Sequence, residues 1–444
     1  MFTTTFTTLL LAGTLGYPSP LRFEPDKKWT GRTVIMKKTG MRFYQTNAEN
    51  IDVSVGTIAR TDYVVVRESD TRIWIKQDGV EGWIPKDDAA LPEDGVEHFT
   101  KLLRDNPNES ANYARRSKAY ELKGDVDAAL KDYDEAIRIS PTTSSWYNNR
   151  ANLFNKKKDF EGALKDYTRA IEMNPGSAIV YGNRGNAWSN LRDYDKAIAD
   201  YTESLRQTAT YLNALANRGN AYRETRQYDK ALADYNAALK IDAKFAYALA
   251  SRGGMWIVRG DLAKAEADIN AACGIDPRSA LSFLQRGNLR RATKQFSLAL
   301  DDYAHAIWLD PKFTSAFVER GITHRERKQF ERARSDFDKA LEIEPKSAFA
   351  LASKAWLLAT CADEKVRDGK KALELAKAAD ERCVIKEPRF REALAAAHAE
   401  VGEFDAAIAI QKEILANVEY VKESGDLPRR RLESYTVKKP FRDE

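Results

Sequence analysis

The sequence predicts a mostly α protein: a solenoid of about nine helical hairpins preceded by a small all-β barrel. Three observations carry this. The chain repeats itself at a period of 34 residues, in seven ungapped copies from Ser110 to Ser347. One column of that repeat is alanine without exception: Ala129, Ala163, Ala197, Ala231, Ala265, Ala299 and Ala333. Ahead of the repeats, Trp29 to Asp88 holds short β-rich runs separated by turn residues.

Taken in order, residues 1–28 are an N-terminal segment with one short apolar run, Leu9-Leu10-Leu11-Ala12-Gly13. The run is too short to span a bilayer. A signal peptide would explain it, but a positive n-region and a clear cleavage site are missing, which leaves both export to the periplasm and a cytoplasmic protein open.

Residues 29–93 are expected as the barrel. Val34-Ile35-Met36, Tyr63-Val64-Val65-Val66 and Ile73-Trp74-Ile75 read as strands, and the close is Gly79-Val80-Glu81-Gly82-Trp83-Ile84-Pro85. That close resembles the end of bacterial SH3-like domains. Trp74 and Trp83 are candidate ligand platforms, yet at least one is expected in the core, because so small a barrel has few other large side chains to fill it.

Residues 94–417 are expected as the solenoid. Seven residues after each invariant alanine stands another small residue: Ala136, Ala170, Ser204, Ala238, Ala272, Ala306 and Ala340. Between the two runs an aromatic column, Tyr133, Tyr167, Tyr201, Tyr235, Tyr303 and Phe337, broken only by Ile269. Positions four and three apart share a helix face, so small, large and small form one packing stripe on the second helix of each unit. The first helix answers with Tyr113, Tyr147, Tyr181, Leu215, Leu249, Phe283 and Phe317, each followed four residues later by Ser, Ala or Gly. Prolines 141, 175, 277, 311 and 345 stop the second helices. These columns resemble the tetratricopeptide-repeat (TPR) family, which implies a right-handed α-solenoid. The resemblance covers the clear repeats 110–347 and degenerate ones at 348–417, with Val366-Arg367-Asp368-Gly369 as an insertion between helices. Arg290 and His324 depart from the pattern where an aromatic is expected, and Ala209 and Ala243 replace the proline, so softer boundaries are expected there. Residues 418–444 read as a basic tail.

Composition excludes more than it selects. Lys plus Arg number 71 against 66 Asp plus Glu, a net +5 spread over mixed-sign helix faces, so no nucleic-acid partner is expected. Cys273, Cys361 and Cys383 are too scattered for a zinc site or disulfide framework. His98, His305, His324 and His398 lie in separate units, with no H-E-x-x-H, P-loop or dinucleotide fingerprint. The expectation is a non-catalytic protein without cofactor or metal and without a transmembrane segment.

Three sets of residues compete as the working surface. Arg116, Arg150, Arg184, Arg218, Arg252, Arg286 and Arg320 are matched sixteen residues later by Asp132, Asp166, Asp200, Asp234, Asp268, Asp302 and Asp336, which favours internal ion pairs over an anion track. Asn149, Asn183 and Asn217 precede that arginine column, and Asn152, Asn186, Asn220 and Asn288 follow it. The TPR resemblance puts these positions on the concave groove, where an amide ladder suits the backbone of an extended peptide. The competing reading, amides bonded within the solenoid, stays open. Further along, Tyr247, Ile257, Val258, Leu281, Leu284, Val318 and Ile322 are expected to expose an apolar patch on the same face. The expected function is an interaction scaffold binding an extended peptide or partner protein in the groove. The alternatives are an envelope adaptor that uses the barrel to bind cell-wall material or peptide, a nucleic-acid binder, and a regulatory subunit of an enzyme.

Overall fold

The computed structural model describes residues 30–37, 41–46, 52–57, 62–69, 71–77, 80–382 and 388–443. The expectations for the first 28 residues and for Cys383 lie outside these residues. The chain divides between Pro175 and Gly176 into two compact bodies.

The first body opens with seven strands, β1 (Thr33–Met36), β2 (Arg42–Thr46), β3 (Asp52–Thr57), β4 (Asp62–Glu68), β5 (Arg72–Gln77), β6 (Val80–Pro85) and β7 (Ala89–Ala90). They form one antiparallel sheet in the order β3-β2-β6-β5-β4-β1-β7, consistent with an SH3-like domain. The barrel expected from the sequence does not close. Its edge β7 is two residues long and pairs with β1 alone, while β2 meets β6 at the single pair Tyr44↔Trp83. That crossing needs glycine: a Cβ on Gly82 would stand 2.6 Å from the Phe43 ring and 2.7 Å from the Tyr44 carbonyl oxygen.

Alternation decides what fills the sheet. Val34, Met36, Phe43, Tyr63, Val65, Ile73, Ile75 and Ile84 form the core, so Trp74 and Trp83, one residue out of phase, stand half-buried on the opposite face. The expectation that one of them is core fails, because Phe43, Tyr63, Met36 and the branched aliphatic residues fill it. Ile35 packs instead with Phe99 and Ala119, joining β1 to the helices α1 (Pro92–Asp105) and α2 (Ser110–Lys123). Helix α3 (Val126–Ile139) completes the first hairpin, and α4 (Ser144–Lys156) with α5 (Phe160–Met173) forms the second.

The second body continues with hairpins α6 (Ala178–Asn190) and α7 (Tyr194–Gln207), α8 (Leu212–Glu224) and α9 (Tyr228–Ile241), α10 (Ala246–Val258) and α11 (Leu262–Ile275), α12 (Ala280–Ala292) and α13 (Phe296–Leu309), α14 (Thr314–Glu326) and α15 (Phe330–Ile343). The degenerate repeats follow as α16 (Ala348–Thr360) with α17 (Gly369–Glu381), and α18 (Pro388–Glu400) with α19 (Phe404–Leu415). The insertion between α16 and α17 is ordered by Val366, which is buried, and by Asp368, whose side chain caps α17 at the Lys371 amide. The stretch read as a basic tail folds as α20 (Val418–Ser424) and α21 (Leu427–Thr436), with Tyr420 and Tyr435 buried against Ile410 and Ile414.

Both alanine columns are buried, as is the aromatic column between them. First helices meet that aromatic through their small residue: a Cβ on Gly219 would come within 2.7 Å of the Tyr235 ring. Helices α7 and α9 end at Gln207 and Ile241, two residues before Ala209 and Ala243, the same offset that α5 and α11 keep before Pro175 and Pro277. The softer boundaries expected there are not observed. The turn between paired helices carries a period of its own: Gly124, Lys158, Arg192, Arg226, Gly260, Lys294 and Lys328 all have positive φ. Five of them are Lys or Arg held in a region that favours glycine.

Candidate peptide-binding face

Each arginine of the column is held by its aspartate. Arg218 donates Nε to Asp234 Oδ2 and Nη2 to Asp234 Oδ1, both at 2.8 Å. The same fork recurs at Arg116–Asp132, Arg150–Asp166, Arg184–Asp200, Arg252–Asp268 and Arg320–Asp336, while Arg286 makes three bonds to Asp302. The bond to the carboxylate holds Arg184 and Arg218 above the ordinary guanidinium range, against the opposing effect of burial. Several also reach sixteen residues back: Arg150 to Asp134, Arg218 to Thr202, Arg252 to Asn236. Their forks are committed inside the array, which favours internal ion pairs over an anion track.

The asparagines have a task the sequence reading assigned to ligand. Tyr167, Tyr201, Tyr235 and Tyr303 donate their hydroxyls to Oδ1 of Asn152, Asn186, Asn220 and Asn288, at 2.6 to 2.9 Å. Burial pushes these phenols up from their ordinary pKa, so they are neutral donors. Around α8 the bonds run on without a break. Asn220 donates to the Tyr247 hydroxyl, Tyr247 donates to Asn217, and Asn217 donates to Asn186. Asn149 accepts from Asn148, and Asn183 is half-buried and also has a partner. The signal for this lay in the repeat itself. Where Ile269 replaces the tyrosine, the asparagine position is Gly254, and where Phe337 replaces it, the position is Ile322.

The apolar set divides. Leu284 and Val318 are 6% and 0% exposed and belong to internal clusters, which corrects the expectation that they line an open patch. They share these clusters with the small and aromatic stripes of their own hairpins' second helices, Ala299, Tyr303 and Ala306 for Leu284 and Ala333, Phe337 and Ala340 for Val318. Ile257, Leu281 and Tyr247 are half-buried against such clusters, whereas Val258 is exposed. Ile322 is half-buried and lines a cavity of about 570 Å³, which Glu319, Arg325, Phe349, Trp356 and Phe390 line as well. Of these, the sequence reading had singled out Ile322 alone. Trp356 could have been found, since it occupies the repeat position that holds asparagine in earlier units.

Among the described residues, no group of three or more His, Cys, Asp and Glu is placed to hold a metal ion. No described helix is long and apolar enough to cross a membrane.

No curated protein matches this sequence. Similar solved structures include a tetratricopeptide repeat protein from Parabacteroides merdae ATCC 43184, 20% identical over 64% of this chain and 99% of that chain, with a TM-score of 0.46. The Cut9–Hcn1 hetero-tetramer of APC/C is 11% identical over 69% of this chain and 59% of that chain, TM-score 0.48. YrrB, described as a TPR protein with an unusual peptide-binding site, is 25% identical over 42% of this chain and 97% of that chain, TM-score 0.28. Tetratricopeptide-repeat family profiles match residues 88–143, 144–177, 178–210, 212–245 and 278–348, just over half of the sequence. With those matches and the repeated hairpins behind it, the chain belongs to the tetratricopeptide-repeat family.

Proposed function

We propose that this chain is a non-catalytic interaction scaffold that holds an extended peptide along the first-helix face of its second body, with a large apolar side chain of the ligand in the cavity beside Ile322 and Trp356. The cavity carries the reading. Its volume of about 570 Å³ is in the range of a binding pocket, and it mixes aromatic walls with charged groups, Arg325 and Glu319 among them. Asn183, Asn186, Asn217 and Asn220 form the polar stretch of the same face, where fixed amides set the register of a peptide backbone. Desolvated apolar anchors usually dominate affinity, while hydrogen bonds exchanged with water contribute less. The partner is recovered by affinity purification with the full chain from native cells. Trp356→Ala, folded by circular dichroism, should lose it, and retention of the partner by that variant would contradict the assignment.

A second reading rests on the sheet. Trp74 and Trp83 are cross-strand partners, edge to face with centroids 5.4 Å apart, flanked by Arg67 and Arg72 at 5.5 and 5.7 Å. Such an aromatic and cationic face suits an acidic peptide or a glycan. Cell-wall pulldown by the full chain, lost in Trp74→Ala with Trp83→Ala, would favour it.

A further inference from the structure

The cavity already has a neighbour from the same chain. After α21 the backbone turns at Lys438, which has φ 57°, and runs back past α16. There Asp443 forms a parallel bridge with Cys361, and its amide donates to the Thr360 carbonyl at 2.9 Å. Three side chains are then read in succession. The Phe441 ring lies 6.2 Å from Trp356, and the Arg431 guanidinium sits over both rings, 4.6 Å from Trp356 and 5.2 Å from Phe441. Arg442 Nη1 donates to Glu400 Oε2 at 2.6 Å. Asp443 Oδ2 accepts from Trp356 Nε1 at 3.0 Å and lies 3.4 Å from Arg325 Nε.

These are the contacts of a bound peptide. One backbone pairing supplies register, an aromatic side chain meets the pocket wall, and an acid two residues later meets a cation. The supporting frame is built: Glu392 and Arg431 are buried partners, and the Tyr420 hydroxyl donates to Glu392 at 2.7 Å. Burial pulls the Arg325 guanidinium below its ordinary range, and the Asp443 carboxylate is the first charge opposing that effect. An acid at this place therefore relieves a desolvated cation.

We propose that Phe441–Asp443 is an internal occupant of the peptide site, and that the site selects segments with an aromatic residue two positions before an acid. The inference rests on the peptide-binding reading of this face. A tethered segment acts at a high effective concentration, so an external ligand must displace it and binds with an affinity reduced by the fraction of chain that is open.

The test uses a fluorescein-labelled peptide of the sequence Val437–Asp443 and the full chain, followed by anisotropy. Phe441→Glu with Asp443→Lys should eject the internal segment, and this variant should bind the peptide at least tenfold more tightly than the unaltered chain. The same peptide carrying Asp443→Lys should lose that binding. Equal binding by variant and unaltered chain, or undiminished binding of the altered peptide, would overturn the proposal. If circular dichroism shows the variant unfolded, amide exchange in the unaltered chain decides: the Asp443 amide should exchange at least a hundredfold more slowly than in the free peptide, and exchange at the free-peptide rate overturns it. Neither readout needs the natural partner, so failure here is distinct from failure of the scaffold reading.

Discussion

The first-helix face of α6–α10 and that of α14–α18 differ in what the second helices beneath them ask for. In the earlier stretch the second helices carry Tyr201 and Tyr235, whose buried hydroxyls each take an asparagine from the face above. In the later stretch Phe337 needs no acceptor, Ile322 stands where the asparagine was, and a cavity opens beside it. Four of the five column tyrosines claim a surface asparagine in this way, while Tyr133 has Lys118 at that position. The amides of the earlier stretch are held by the fold before any ligand arrives, whereas the later stretch offers apolar wall beside a cavity. An asparagine column in such a repeat is thus first evidence about its tyrosines, and only second about a peptide.

The comparison breaks most visibly at Leu284. Read as an exposed anchor, it would tolerate an acid; as a buried residue it should not. Leu284→Asp is expected to destabilise the fold by at least about 3 kcal/mol through an unpaired buried carboxylate, measured by chemical denaturation. An unchanged midpoint would return Leu284 to the surface.

The arginine column sharpens the same contrast between internal and external roles. A double-mutant cycle on Arg218 and Asp234, both largely shielded from water, should give a coupling of about 1–3 kcal/mol. Zero coupling, with weaker partner binding by Arg218→Ala alone, would mean that the guanidiniums serve a ligand.

The hydroxyl rule itself can be run backwards. Phe337→Tyr should cost about 1–3 kcal/mol by burying an unpaired hydroxyl, and adding Ile322→Asn should restore most of it. Failure of the second change to rescue the first would show that the pairing at α8 and α9 is incidental.

The smallest effect concerns pH. Burial lowers the pKa of His324, whose ring accepts or donates at Gln329 and faces Asp336, Arg320 and Arg332. Its neutral form is the folded one, so its contribution is complete above the unfolded value of 6.5 and is lost as pH falls through the lower folded value. Denaturation midpoints should therefore decline as pH falls below about 6.5. His324→Tyr, which restores the aromatic usual at this repeat position, should flatten that decline.

The period, the packing stripes and the arginine–aspartate pairs were legible because each is a recurrence of residue type at helical spacing, and recurrence is what a single sequence displays. The open sheet was not legible, since closure depends on β2 and β6 meeting at one pair rather than along their length. Nor was the fold of residues 418–443: their basic composition masks Tyr420 and Tyr435, which are buried, and Arg431 is itself buried. The asparagines were misweighted for a different reason. Their partner lies fifteen residues away in another column; Ile269 with Gly254 and Phe337 with Ile322 point to the link, while Tyr133, which has Lys118 at that position, departs from it.

The central claim is that ligand affinity resides at the cavity of α14–α18 and not at the asparagine face. Calorimetric titration of one recovered partner against two folded variants tests it most directly. Ile322→Asp should weaken binding at least a hundredfold, while Asn186→Ala should weaken it less than tenfold, about 1.4 kcal/mol or below. The reverse order, with Asn186→Ala the more damaging and Ile322→Asp near wild type, would contradict the account.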